Sequence, residues 1–392
     1  MRDVPEAMLA AFDGSSSGAV LSCAALYDGA VVRDRLDVSA WSMNWRLGDQ
    51  QTVQGSASFT VQDSEGLLAP WGYDEPLSVG GSRIQAVFEC AGETVPLGEW
   101  LITRNQPNEL WRLTRYGNGQ SVRWVNGGAT VPLDGADLSQ LLANAKFMSP
   151  EAPPQSGGTV FGEIERLCAG LVGVEFVGVQ DKPVPKNMVY AQERINTIAD
   201  LARMVGDYRI NGVGLLQVFD PERPGTPHWT IDAGPGGAMI TVGREQSQDA
   251  LFNAVTASGQ TEGGEEIRAY ATTVDGPLRW GGPFGQKPTE MTSSATSYYA
   301  MKLEAEQYLR DQVESATTIL NVYCAANPLY EIGDWGVVAQ PVIGGETYPL
   351  VGRCVEVEIS GGAAGFGEMR LSMECATSDV LAVARYIRGT QT

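Results

Sequence analysis

Apolar and polar positions alternate with a period of two from Ala19 to about Tyr116, which is the pattern of strands with one buried and one wet face. In Val53–Val61, Ala57, Phe59 and Val61 fall on one face and Ser56, Ser58 and Thr60 on the other. The runs Ala19–Tyr27 and Ala30–Val38 flank Asp28-Gly29, a pair that accepts the positive φ angles of a tight primed turn, so they predict a hairpin. Ile84–Glu89 and Val95–Arg104 flank Ala91-Gly92-Glu93-Thr94 and predict another. Short strands at this spacing suit a small barrel or sandwich. Ahead of them lie a short amphipathic opening over 1–13 and the connector Gly14-Ser15-Ser16-Ser17-Gly18.

The period changes between about Val131 and Asp220. Asp137-Leu138-Ser139-Gln140 reads as a capping box with Asp137 at the N-cap and Gln140 at N3. Phe161–Val172 repeats apolar residues at Phe161, Ile164, Leu167, Cys168 and Leu171, and Glu193–Val205 at Ile195, Ile198, Leu201, Ala202 and Val205; Gly206 is expected to end the second helix. Asn211-Gly212 between Tyr208–Ile210 and Val213–Phe219 predicts a further hairpin.

Beyond the Pro/Gly-rich loop Pro221–Pro227, strands are expected at Ala250–Ser258, Glu266–Thr273, Thr317–Cys324, Trp335–Gln340, Val351–Ile359 and Met369–Cys375. A long helix over 294–314 interrupts them, with Tyr298, Met301, Ala305, Tyr308 and Leu309 on one face. Thr377–Arg388 predicts a terminal helix capped by Thr377 or Ser378. The expected fold class is a β-rich α+β protein in which an α+β domain separates two small β-barrels, the second with an inserted helix. The expected domains are 1–120, 121–245, 246–376 with the helix 294–314, and a terminal helix in 377–392.

Composition narrows the function. The 47 glycines with 22 Trp and Tyr suit a turn-rich β protein. A net charge of −20 argues against an outer basic patch for nucleic acid, since phosphate contacts need clustered Lys and Arg. No opening signal-peptide pattern and no run of about 18 apolar residues occurs, so no membrane span is expected, and synthesis in a cytoplasm is.

The chemistry that would mark an enzyme is poorly represented. The six cysteines lack C-x-x-C spacing and the chain has one histidine, His228, which disfavours a zinc site; most of the cysteines read as small buried hydrophobes. Gly14–Gly18 matches G-x-S-x-G, but the strand and helix a nucleophile elbow requires are not around it. Cys168 on an apolar helix face reads as core and His228 as a loop residue. Glu262, Glu265 and Glu266 form the densest acidic group and read as a solvated loop, and Gly234-Pro235-Gly236-Gly237 reads as a turn. No catalytic, cofactor-binding or metal-binding residue is assigned, no cofactor is expected, and the chain is expected not to be an enzyme.

Three segments in order resemble the tail-hub family of phages and related injection machines. The first is Leu251-Phe252-Asn253-Ala254-Val255-Thr256-Ala257-Ser258-Gly259, followed by the helix ending Glu304-Ala305-Glu306-Gln307-Tyr308-Leu309 and by Asn327-Pro328-Leu329-Tyr330-Glu331-Ile332-Gly333-Asp334-Trp335-Gly336-Val337-Val338. Here Pro328 breaks pairing, Gly333 supplies a turn and Asp334 can accept backbone N–H bonds. The second is Gln51–Gly66 with Gly80–Ile84 and Val95–Ile102, similar to the first hub barrel of minor tail proteins; the third is the middle helix with its Asn211-Gly212 hairpin.

The resemblance implies a structural virion protein at the tail tip. It would be a homotrimer whose two barrels per chain give a quasi-sixfold ring, closing a sixfold tube onto a threefold tip. It implies as partners the tail tube or distal tail protein, the tape measure protein, a tip fibre or spike, and viral DNA that passes through the lumen without specific binding. It carries over no catalytic residue, and with about 17 residues after Cys375 an appended lytic domain is not expected. The alternatives are a ring-forming distal tail protein, a carbohydrate-binding tail-tip adhesin and a cell-wall hydrolase.

Overall fold

The computed structural model describes residues 2, 18–47, 52–90, 92–116, 121–151, 158–185, 188–190, 193–221, 227, 229–248, 251–261, 263–293, 295–314, 317–342, 345–363 and 365–389. The chain divides into two compact units. One comprises Met1–Val242, Asn321–Pro341 and Val351–Met373; the other comprises Gly243–Leu320, Val342–Leu350 and Glu374–Thr392.

In the first unit, β1 (Val20–Tyr27) and β2 (Ala30–Arg33) make the expected hairpin, with φ of 49° at Asp28 and 75° at Gly29. β3 (Asp37–Arg46) pairs with β4 (Gly55–Asp63), where Ala57, Phe59 and Val61 are buried as the alternation requires. β5 (Arg83–Cys90) and β6 (Glu93–Asn105) form the next hairpin, with Gly92 at φ 80° in its turn. β7 (Asn108–Tyr116) folds back on the first half of β8 (Ser121–Ala136) as a two-stranded ribbon, and the second half of β8 inserts between β4 and β6.

Strands from far along the chain complete the sheet. These are β12 (Trp229–Ile231), β13 (Met239–Glu245), β17 (Thr317–Ala325), β18 (Trp335–Pro341), β19 (Thr347–Gly362) and β20 (Gly365–Ala376). The pairing runs β13-β17-β20-β19-β3-β4-β8-β6-β5-β1-β2, with β18 on β19 and β12 parallel to β18. The β3–β19 pairing, from Arg46↔Glu356 to Ala40↔Gly362, joins the early and late strands. Phe366 of β20 then packs edge-on against Trp41 of β3 at 4.9 Å and Phe88 of β5 at 6.3 Å. The β-rich class is as expected, but the described strands trace an open path, not the two closed barrels expected from the number of short strands. Alternation fixes which face of a strand is buried; it does not say which distant strand lies beside it.

The α+β part of this unit contains α1 (Ser139–Asn144), α2 (Val160–Cys168) and α3 (Arg194–Arg203), with β9 (Val174–Val177), β10 (Asp207–Ile210) and β11 (Leu216–Phe219) paired in the order β10-β11-β9. Ile164, Leu167, Ile198 and Leu201, which the helical period marked, lie in its core together with Leu142 and Tyr208. Three local expectations are corrected. The Asp137 carboxylate does accept from the Ser139 N–H, but the N-cap is Leu138 and the Gln140 amide bonds Asn144, so the capping box is not formed. The β10–β11 link is not a two-residue Asn211-Gly212 turn. Asn211 Oδ1 accepts from Val213 N–H and Leu215 N–H, and Gly214 takes the positive φ of 80°. Gly206 follows α3 because a Cβ there would lie 2.2 Å from the Phe219 carbonyl, not because it adopts a left-handed cap.

In the second unit, β14 (Ala254–Gln260) lies between β15 (Glu266–Thr272), antiparallel, and β16 (Pro288–Thr292), parallel. α4 (Tyr298–Glu314) packs on β14 and β15 through Met301, Ala305 and Leu309 against Val255, Ala257, Ala269 and Ala271. The small alanines let the helix come close, and Gly259 gives Met301 room, since a Cβ there would sit 2.8 Å from its methyl. The helix begins at Tyr298, with the Ser297 hydroxyl accepting from the Ala300 N–H; Ser294 lies outside the described residues, and Tyr298 is exposed, not part of the buried face. α5 (Thr377–Gly389) follows β20 as expected.

Candidate functional site

The most highly organised cluster of charges grows from the turn at Asn327–Asp334. Asn327 Oδ1 accepts from the Leu329 N–H at 3.0 Å, and Asp334 Oδ2 accepts from the Glu331 N–H at 3.0 Å, the role the sequence assigns to that aspartate. Gly333 takes φ 87°, donates to the Cys354 carbonyl at 2.7 Å, and Cys354 donates back to the Asp334 carbonyl at 2.7 Å. The turn is thereby fastened to β19.

Two arginines enter this turn from elsewhere. Arg209 of β10 lies 3.2 Å from Glu331 and 3.6 Å from Asp334, donates to the Ile332 carbonyl at 2.6 Å, and sits over the Phe219 ring at 4.9 Å. Arg2 lies 3.6 Å from Glu331, donates to the Pro328 and Pro96 carbonyls at 2.9 and 3.1 Å, and stands over Trp45 at 5.7 Å. All four charged side chains are nearly buried, between 5% and 12% exposed. Burial alone would raise the Glu331 pKa, but the Arg209 and Arg2 charges outweigh it and hold the carboxyl below its ordinary value. Burial in turn lowers the Arg2 pKa, with Glu331 opposing. Beside the cluster is a cleft of about 650 Å³ whose lining includes Val95, Asn211, Gly212, Val213 and Trp335. Each charge in the cluster is held by an opposite charge, a carbonyl or a backbone N–H, an arrangement that fixes four chain segments to one another instead of presenting a reactive group. The sequence marked Gly333 and Asp334 but not Arg2 or Arg209; nothing local distinguishes those arginines from solvated ones.

Among the described residues the candidates for chemistry do not converge. Gly14-Ser15-Ser16-Ser17, His228 and Glu262 lie outside the described residues. Cys168 is fully buried, and burial pushes its thiol up to about 12, the opposite of what a nucleophile needs. Glu266 is exposed and paired with Arg268 at 2.7 Å. Gly234–Gly237 is a turn, closed by the Gly237 N–H on the Gly234 carbonyl at 3.0 Å. Among the described residues no group of three His, Cys, Asp or Glu side chains is placed to hold a metal.

One titrating group escapes the sequence reading. Asp137 is buried, and that burial raises its pKa to about 6 against hydrogen bonds from Ser139 that lower it. Its N–H donates to the Gly55 carbonyl at 3.0 Å, so it serves to join α1 to β4.

Asn253 stands immediately before β14. Its buried amide donates to the Gly285 carbonyl at 2.9 Å and accepts from the Lys287 N–H at 2.9 Å, tying the start of β14 to the segment that leads into β16.

Neither a family model nor a protein of curated function matches the sequence. Solved structures do match the fold. The chain is similar to the tail protein from Neisseria meningitidis MC58, at 15% identity and a TM-score of 0.57, over 91% of this chain and 96% of that one. It is similar to the 43 kDa tail protein of prophage MuSo2 from Shewanella oneidensis, at 10% identity and a TM-score of 0.53, over 90% and 96% of the two chains. Prophage tail protein gp18 from Listeria monocytogenes EGD-e also matches, at 10% identity and a TM-score of 0.47, over 94% and 99%. The fold is therefore one that phage tail proteins have, and it is shared along nearly the whole of both chains.

Proposed function

We propose that the chain is a non-enzymatic structural subunit of a phage-type tail tip, a hub that closes the tail tube and adapts its sixfold symmetry to a threefold tip as a homotrimer. The observation that carries this reading is the fold shared with tail proteins over 91% and 90% of this chain. A likeness covering one domain would leave room for a separate activity; here it covers nine-tenths of the chain or more. The buried Arg2–Glu331–Arg209–Asp334 cluster suits a part that must keep its shape under load. In this reading each chain supplies two ring positions, six in a trimer. The tube or distal tail protein lies on one side, the tape measure protein and a fibre or spike on the other. The net charge of −20 leaves passing DNA unretained. Removal of the gene tests the assignment. Particles without the chain should lack finished tails, and complete infectious tails in its absence would refute it.

A further inference from the structure

The β7–β8 ribbon has two unlike faces. In its register Trp111, Leu113 and Arg115 stand opposite Asn126, Trp124 and Val122, so Trp111, Leu113, Val122 and Trp124 share one face. All four are exposed, Trp124 at 66%. The other face carries Arg112 and, opposite Thr114, Arg123, whose guanidinium lies 5.9 Å from the Tyr116 ring centre. From Asn108 to Asn126 three arginines stand against one glutamate, a net +2, on a chain of net −20.

A second surface of the same unit has the complementary character. Ser64–Ser82 carries Glu65, Asp74 and Glu75 and no lysine or arginine, a net −3. It displays Leu67, Trp71 and Tyr73, with Trp71 80% exposed. This loop is built, not slack. Asp63 accepts from the Gly66 and Leu68 N–H groups at 3.0 and 2.6 Å, and Glu75 accepts from the Trp71 N–H at 2.7 Å. The Ser78 hydroxyl donates to the Tyr73 carbonyl at 2.6 Å, and Asn105 donates to the Leu77 carbonyl at 3.0 Å. Leu77 is held at φ 60° and is fully buried, while a Cβ at Gly80 would meet the Tyr73 carbonyl at 1.9 Å. A framework this constrained that turns two aromatic rings to solvent is a preorganised contact surface, because little ordering cost remains when a partner arrives.

We propose that the basic, aromatic ribbon of one copy docks on the acidic, aromatic loop 64–82 of the next copy of this chain. Two bodies of net −20 repel one another, and the aromatic face of the ribbon, which also carries Arg115, brings opposite charges and two apolar surfaces together where it meets the loop. Each copy carries one ribbon and one loop, so the contact is head-to-tail, the kind that forms a ring when the rotation between copies closes. The inference rests on the reading of the chain as a multi-copy ring component, and it names the surfaces that reading leaves open.

Trans cross-linking in assembled tails tests it. Leu113→Cys is placed in one tagged copy and Tyr73→Cys in another, the two are co-expressed, and the tails are treated with a short bismaleimide. The six native cysteines are buried, so the introduced thiols dominate the reaction. The expected product is an adduct containing one chain of each tag. It should be absent from tails bearing either substitution alone. Reversing the charge on the docking face with Arg115→Glu should lower incorporation into tails about 10-fold, and Asp74→Arg in the same chain should restore it. Tails that hold the normal copy number yet give no adduct, or give an adduct with a different tail protein, overturn the docking while leaving the hub reading intact. Adducts obtained from tails whose copy number is not three support the docking and overturn the hub reading instead.

Discussion

Arg209 and Glu331, 122 positions apart in the sequence, meet at 3.2 Å with 12% and 10% of their side chains exposed. Strand β10 of the α+β part is thereby attached to the turn that precedes β18. Removing one member of such a pair leaves the other charge buried without its partner, which costs about 3–5 kcal/mol. Arg209→Ala and Glu331→Gln should each lower unfolding stability by that order, and the double substitution should cost less than the sum of the two. Chemical denaturation of the three variants measures the coupling, and strictly additive losses would contradict the pairing. The pair also sets an acid limit. Because Glu331 titrates below its ordinary 4.5, its contribution is present above that pH and is lost as pH falls through the folded value.

Asp137 carries the opposite sign. Its folded pKa is about 6 against an ordinary 3.8, so the folded state binds the proton more tightly and stability falls as pH rises between those values. Asp137→Asn keeps an Oδ1 acceptor for Ser139 and should stabilise the protein at pH 7 by up to about 3 kcal/mol, the weaker hydrogen bonds to an uncharged acceptor taking back part of the gain. Below pH 4 the difference from the wild type should vanish or reverse. A difference that does not change between pH 4 and 7 would show that burial does not raise the Asp137 pKa.

A helix among strands has to cover its apolar face with something, and a subunit boundary would be one such cover for Met301 and Leu309. Met301 is instead fully buried in its own unit, against β14 and β15. Met301→Ala should therefore destabilise the isolated chain by about 2–5 kcal/mol. Thermal unfolding of purified protein decides it; an unchanged transition alongside failed tail assembly would return this helix face to an interface.

What the sequence disclosed and what it hid follow from the range of the interactions. The Asp28-Gly29 turn, the alternation through Ala57, Phe59 and Val61, and the apolar faces of α2, α3 and α4 depend on neighbours within one turn or one strand, and each was legible. The pairing of Arg46 with Glu356 and the packing of Phe366 on Trp41 depend on residues more than 300 positions apart, and no local period encodes them. Gly206 looked like a helix cap when its constraint is the Phe219 carbonyl 2.2 Å from where a Cβ would be. The ribbon was only half visible. β7 lay at the end of a strand-like region, whereas Ser121–Ala136 mixes an exposed arm with a buried strand and has no single pattern. In the charged cluster, the turn residues Gly333 and Asp334 were legible because turn chemistry is local. Arg2 and Arg209 were not, because their roles come from the carboxylates brought to them by folding.

The central claim concerns symmetry, and the number of copies of this chain per intact tail tests it most directly. Quantitative mass spectrometry of purified tails, together with an image reconstruction of the tip without imposed symmetry, gives that number and its arrangement. The account predicts three copies related by a threefold axis, below a tube of sixfold symmetry. Six or more copies in one sixfold ring, with no threefold component, would contradict the hub reading and assign the chain to the ring-forming distal tail proteins.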